Sequence, residues 1–310
     1  MGAQPELSVV VPVFNAEATL PKLVAELEGV LGSDGWELVL VNDGSRDRSW
    51  EVIQALAGRF AWIRGFNLMR NYGQHNALLC GIRAARGRVI VTMDDDLQNP
   101  PAEIPRLLAK LEEGYDVVYG TPRRQQHGLL RNLASSVTKL ALQSAMGAET
   151  ARSVSAFRAF RSEVREAFAE YRGAFVSIDV LLTWGTQRFA AIPVECRPRT
   201  IGVSHYTVGK LIAHALNMIT GFSTLPLQMA SILGFLMTFF GFTILVYVVG
   251  RYLVQGGSVP GFPFLASLIA IFSGAQMFGL GVIGEYIARI HARTMDKPSY
   301  TVRSVTRQAE

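Results

Sequence analysis

Two stretches of this chain, Met229 to Gly250 and Phe264 to Gly284, contain no charged residue at all. As helices rising 1.5 Å per residue, each is long enough to cross about 30 Å of hydrocarbon. Two buried core helices are the alternative, but a globular domain seldom holds two such runs back to back, and the pair reads as a membrane hairpin. Its connector, Arg251 to Pro263, carries one charge, whereas the segment beyond it carries Arg289, Arg293, Lys297, Arg303 and Arg307. An excess of basic residues on one side predicts that this end stays in the cytoplasm. The N-terminus lacks the basic, apolar and small-residue regions of a signal peptide, so the preceding domain is expected on the same side.

The region before the hairpin has a different pattern. Short β-rich runs at Leu7–Phe14, Glu37–Val41, Trp62–Leu68, Arg88–Met93 and Tyr115–Gly120 alternate with helical patterns around Leu20–Val30, Ser49–Ala57, Asn76–Ala85 and Ile104–Glu112. Such alternation predicts an α/β fold, a mostly parallel sheet covered on both faces, with ligands bound beyond the carboxyl ends of the strands. Just before the hairpin, Val208–Phe222 has apolar residues at near-helical spacing. It reads equally well as a helix in the membrane interface or as one packed on the soluble domain.

Net charge is +5, from 30 Lys and Arg against 25 Asp and Glu. That excess suits a phosphate ligand or an anionic leaflet and is too mild to argue for nucleic acid. The two cysteines, Cys80 and Cys196, have no CxxC or Cys/His spacing and are expected as buried, reduced thiols. No G-x-G-x-x-G, Walker A, G-x-S-x-G or H-E-x-x-H pattern occurs, which removes the usual dinucleotide, P-loop, serine-hydrolase and zincin chemistries.

Polar residues gather after three of the strands: Phe14, Asn15 and Glu17; Asn42, Asp43, Gly44 and Ser45; Asp94, Asp95 and Asp96. Each has an ordinary explanation as a turn or helix cap, but three on the ligand-binding edge of one sheet point to a site. Alternation along an extended chain would turn Asp94 and Asp96 the same way, so that both could hold Mg²⁺ or Mn²⁺ together with diphosphate oxygens. A solvated acidic turn ahead of Pro100 and Pro101 is the competing reading.

The segments VVVPVFNAEATL (Val9–Leu20), VNDGSRDRS (Val41–Ser49), RNYGQHNALLCGIRAARG (Arg70–Gly87), DDDLQNPPAEIPRLL (Asp94–Leu108) and RTIGVSHY (Arg199–Tyr206), followed by a paired hairpin, resemble the family 2 glycosyltransferases. The resemblance is to the branch that moves a sugar from a nucleotide to polyprenyl phosphate, and its wording is nearest to the undecaprenyl-phosphate 4-deoxy-4-formamido-arabinose transferases. It implies a GT-A domain over residues 1–207, an interfacial region at 208–228, the hairpin at 229–284 and a basic cytoplasmic tail at 285–310. It also implies a multi-pass protein of the bacterial inner membrane, a UDP-sugar donor, an undecaprenyl (polyprenyl) phosphate acceptor, Mg²⁺ or Mn²⁺ as cofactor, and tetramers in some relatives.

Carried over by residue, the resemblance places Pro12, Phe14, Asn15, Glu17, Asp43 and Arg70 at the nucleotide, and Asp94, Asp96 and Gln98 at the metal, with Asp95 facing the donor sugar. Arg123, Arg124, Arg131 and Ser135 would grip the lipid phosphate; Arg131 and Ser135 stand one helical turn apart and can face one ligand. Arg199, Ser204 and His205 would lie against the diphosphate. Phe14, His205 and Arg152 depart from the Tyr, Lys and Asp common at these positions, which bears on the identity of the sugar. A processive polysaccharide synthase would share the aspartate cluster but would carry Q-x-x-R-W and more spans, whereas Gln187-Arg188-Phe189 lacks that pattern. A non-catalytic membrane scaffold built on the same fold is the other alternative.

Overall fold

The structure is a computed structural model and describes residues 4–122, 154–173, 176–197, 225–255 and 261–306. It divides into two units: residues 1–214 with 296–310, and residues 215–295.

In the first unit, β1 (Leu7–Val13), β2 (Trp36–Asn42), β3 (Ile63–Leu68) and β4 (Val89–Thr92) alternate with α1 (Leu20–Leu31), α2 (Ser49–Arg59) and α3 (Gln74–Ala84). A short 3₁₀ turn at Pro101–Glu103 leads into α4 (Ile104–Glu112), then β5 (Val117–Pro122), β6 (Arg158–Arg161), α5 (Ile178–Gly185) and β7 (Phe189–Val194). The last strand, β8 (Val302–Val305), comes from the far end of the chain.

The eight strands form one sheet in the order β7-β5-β6-β4-β1-β2-β3-β8. β1 pairs in parallel with both β2 and β4, β2 with β3, and β5 with β7; β6 and β8 run antiparallel to their neighbours. Every residue of β1 and β2 is buried, because helices cover both faces. Successive side chains on β1 take opposite faces. Val9, Val11 and Val13 join Leu20, Leu23 and Leu27 of α1 in one core layer, while Val10 joins Val39, Val41 and the α3 residues Ala77 and Leu78 in the other.

Pro12 tolerates its place in β1 because the β4 register ends at Val10↔Thr92, so the missing N–H falls beyond that ladder. α3 comes close to β1 at Gly81, where a Cβ would stand 2.3 Å from Val10 Cγ1. The order reverses direction at β1: β2 and β3 lie on one side and β4 on the other. In open α/β sheets a ligand crevice falls at such a switch point, here past the carboxyl ends of β1 and β4.

Three sequence expectations need correction. β6, β7 and β8 are not among the expected strands: β6 and β8 are only four residues long, and β7 and β8 form the two edges of the sheet. Cys80 is buried as expected, but Cys196 is exposed, because it follows β7 on a surface segment rather than within a strand. Residues 285–294 continue a membrane-length helix, and the end of the expected tail returns to the sheet as β8.

The second unit consists, among the described residues, of α6 (Leu225–Gln255) and α7 (Phe262–Thr294). Both contain candidate spans, Pro226–Val254 and Ile271–His291, with nothing buried in their most apolar windows. Phe235, Phe239, Leu253, Met277 and Leu280 are all exposed to the surroundings, as expected of a lipid-facing surface and not of a protein core. Gly241 lets the helices approach: a Cβ there would lie 2.9 Å from Phe272 Cζ. The expected interfacial segment at 208–224 lies outside the described residues, and 225–228 form the first turn of α6.

Candidate active site

The site begins where β1 stops. Phe14, Asn15 and Glu17 are exposed, and Asn15 takes a positive φ of 55° that turns the chain out of the strand. This loop is fastened to the one after β2 by reciprocal hydrogen bonds. Asn15 N donates to Ser45 Oγ at 3.0 Å, and Arg46 N donates to Asn15 Oδ1 at 2.8 Å. Glu17 N donates to Asp47 Oδ2 at 3.1 Å, and Arg48 N donates to Glu17 Oε2 at 2.9 Å. Ser49 accepts from Ala16 N at 2.8 Å. Asp47 loses some solvation by burial, but the Ser49 hydroxyl and backbone amides donating to it outweigh this and lower its pKa.

Asp43 occupies the carboxyl end of β2 and is buried. Its two carboxylate oxygens accept from Tyr72 N at 2.7 Å and Gly73 N at 2.9 Å. Burial nevertheless outweighs these bonds and raises its pKa above the usual 3.8. The loop that supplies both amides rests on Gly44, whose φ is 66° and where a Cβ would meet Asn71 N at 2.5 Å. Arg70 is exposed on this loop and stacks over Tyr72 at 4.5 Å.

β4 ends at Thr92, so the acidic triplet lies in a turn, and strand alternation does not set its directions. Asp94 Oδ1 accepts from Gln74 Nε2 at 2.6 Å, Asp95 Oδ2 from Phe14 N at 3.1 Å, and Asp96 Oδ1 from Gln98 N at 3.1 Å. Leu97, at φ 60°, tucks its side chain into the core and turns the chain toward Pro100. Asp95 is partly buried; burial, with Asp94 and Asp96 as like-charged neighbours, pushes its pKa up to about 7 against the Phe14 hydrogen bond. Gln98 O in turn accepts from Arg197 N at 2.8 Å, which brings the segment after β7 to the same edge.

Among the described residues, no three His, Cys, Asp or Glu side chains converge on one point. The donors at the turn are nonetheless hard oxygens, and Asp94 and Asp96 both lie near enough to disfavour charge on Asp95. Mg²⁺ and Mn²⁺ suit such a partial set, completing it with phosphate oxygens and water instead of a full protein cage. On this chemistry the turn fits a divalent cation.

The structure therefore gathers Pro12, Phe14, Asn15, Glu17, Asp43, Arg70, Asp94, Asp95, Asp96 and Gln98 along one edge. Arg123, Arg124, Arg131, Ser135, Arg199, Ser204 and His205 lie outside the described residues. Ser45, Asp47, Ser49 and Gln74 also belong to the site's framework. They stood within the motifs already noted, but only the folded loops reveal what each one holds.

A mostly parallel sheet with an acidic turn at its switch point and polar loops beside it is the architecture of GT-A glycosyltransferases. The chain belongs to glycosyl transferase family 2, whose model matches residues 8–168. It is 38% identical to the undecaprenyl-phosphate 4-deoxy-4-formamido-L-arabinose transferase of Shewanella sediminis, over 96% of this chain and 92% of that one. The protein of the same name from Pseudomonas paraeruginosa is 35% identical, over 98% and 91%. Among solved structures, glucosyl-3-phosphoglycerate synthase of Mycobacterium tuberculosis, in complex with Mn²⁺, UDP-glucose and phosphoglyceric acid, shares the fold. Its TM-score is 0.54 at 19% identity, covering 70% of this chain and 78% of that one. The protein is thus a glycosyltransferase closely related to the undecaprenyl-phosphate formamido-arabinose enzymes, and its two lipid-length helices are consistent with a multi-pass protein of the bacterial inner membrane.

Proposed function

We propose that the enzyme transfers 4-deoxy-4-formamido-L-arabinose, or a related sugar, from UDP to undecaprenyl phosphate at the cytoplasmic face. The carrying observation is that one chain joins the Asp94–Asp96 turn at the β1/β4 crevice to two helices of bilayer length. The names of the 38% and 35% identical relatives supply the acceptor and the sugar. Residues on both sides of the hairpin enter one sheet, since β8 pairs with β3, so the chain crosses the bilayer an even number of times. The basic residues after α7 favour the cytoplasm for that sheet.

In this reading Pro12, Phe14, Asn15, Glu17 and Asp43 line the uridine nucleotide, with Arg70 at its rim. Asp94, Asp96 and Gln98 would hold Mg²⁺ or Mn²⁺, which when bound neutralises charge on the departing diphosphate. Asp95 fixes the β1 loop to the turn through Phe14 N, so nucleotide and diphosphate subsites keep one spacing. Arg199, Ser204 and His205 add positive charge and hydrogen bonds at the diphosphate, and Arg123, Arg124, Arg131 and Ser135 orient the lipid phosphate. A phosphate monoester, with a second pKa near ~6, is largely dianionic at neutral pH and needs no general base. Its oxygen bonds to the anomeric carbon as the carbon–oxygen bond to UDP breaks, which inverts the configuration. Placement and leaving-group stabilisation are the protein's contribution.

The test is purified protein with Mn²⁺, a panel of UDP-sugars and undecaprenyl phosphate, scored by mass spectrometry of the lipid. A singly glycosylated lipid supports the proposal, a growing polymer favours a processive synthase, and no product from any donor favours a scaffold. Asp96→Asn should abolish product while membrane insertion persists; undiminished turnover would remove Asp96 from the diphosphate site.

A further inference from the structure

Directly behind the acidic turn lies a buried ion pair that the chemistry above does not use. Arg158 of β6 is the largest fully buried side chain among the described residues, only 1% exposed, and its guanidinium pairs with Asp179 of α5. Its Nε donates to Thr92 Oγ1 at 3.0 Å, and Thr92 donates onward to Ala156 O at 2.8 Å. Thr92 is the last residue of β4, two before Asp94. Tyr119 Oη donates to the same Asp179 carboxylate at 3.2 Å. A second route reaches the turn from α5. Ile178 N, beside Asp179, donates to His75 Nδ1 at 3.3 Å, and Gln74, the neighbour of His75, donates to Asp94 Oδ1 at 2.6 Å.

Stability alone is a poor reason to bury this pair, because two desolvated charges often hold a core no better than apolar side chains of similar volume. What the pair supplies is direction. A planar guanidinium reaches the carboxylate and the hydroxyl at fixed angles, which an apolar contact or a lysine would not do. We propose that Arg158 and Asp179 are positioning residues, which lock the end of β4 to α5 and α3 so that the Asp94–Asp96 turn holds one geometry toward the donor diphosphate. The inference rests on the reading of that turn as the diphosphate site.

The variant R158M/D179L removes both charges at similar volume. In full-length protein in nanodiscs it should keep its thermal midpoint yet lose about a hundredfold in kcat, the scale set by an ångström of misplacement, with the donor KM changing far less. The Mn²⁺ concentration needed for UDP binding, read by calorimetry, should rise. Should the double variant fail to fold, Thr92→Val removes only the hydroxyl link and should shift kcat and the Mn²⁺ requirement in the same direction. A folded variant of either kind with wild-type kcat and Mn²⁺ requirement overturns the proposal. Wild-type protein inactive with every donor would instead sink the assigned reaction, while its Mn²⁺-dependent UDP heat would still report on the turn.

Discussion

Asp95 illustrates how far a residue's chemistry depends on its surroundings. Its native pKa, about 7, lies above the ordinary 3.8 because burial and two neighbouring carboxylates disfavour its charge. The native state therefore keeps this proton where the unfolded chain has released it. Its contribution to stability is complete below 3.8 and is lost as pH rises through about 7. In chelator, the thermal midpoint should fall over this window, and Asp95→Asn should flatten the fall; an unchanged profile would mean that Asp95 ionises freely. The cysteines make a second contrast. Burial pushes the Cys80 thiol up to about 12, whereas Cys196 is exposed. One thiol per chain should react with a maleimide in the folded protein and two after denaturation, with peptide mapping placing the first label on Cys196. The carboxylates and thiols themselves were legible in the sequence, as was the burial of Cys80. The exposure of Cys196 and the partners of the carboxylates were not, since neighbours distant in the chain decide both.

At the scale of elements, long buried strands and amphipathic helices announced themselves. β1 and β2 carry unbroken apolar runs, and α1 repeats Leu20, Leu23, Val24 and Leu27 along one face. β6, with arginine at each end, and the four-residue β8 carry no such pattern and become strands only because a neighbouring edge offers hydrogen bonds. The NDGS turn was also legible, but the demand on its glycine comes from the loop packed against it. Gly44→Ala adds a Cβ at positive φ within 2.6 Å of the Arg70 carbonyl carbon. It should destabilise the fold by about 1–3 kcal/mol and weaken UDP binding, because the displaced loop carries the amides that hold Asp43. Denaturant titration and calorimetry check both effects; full UDP affinity would show that the loop adapts.

On the scale of the whole molecule, the chain leaves the sheet, passes through α6 and α7, and comes back to it. β8 pairs with β3, Met69 N donates to Thr301 O at 2.9 Å, and Ser299 Oγ donates to Gly173 O at 2.9 Å. Tags at the N-terminus and C-terminus should consequently be digested from the same side of oriented vesicles; opposite sides would contradict a shared sheet. The two uncharged runs, the strand–helix alternation and the acidic triplet follow from sequence alone, because hydropathy and periodicity are local properties that act wherever the segment ends up. Tertiary structure decided the switch point between β1 and β4, the turn that sends three adjacent aspartates to different partners, the buried Arg158–Asp179 pair and the return of β8. Each of these depends on groups far apart in the chain meeting away from water, where hydrogen bonds and charges left without partners would be costly.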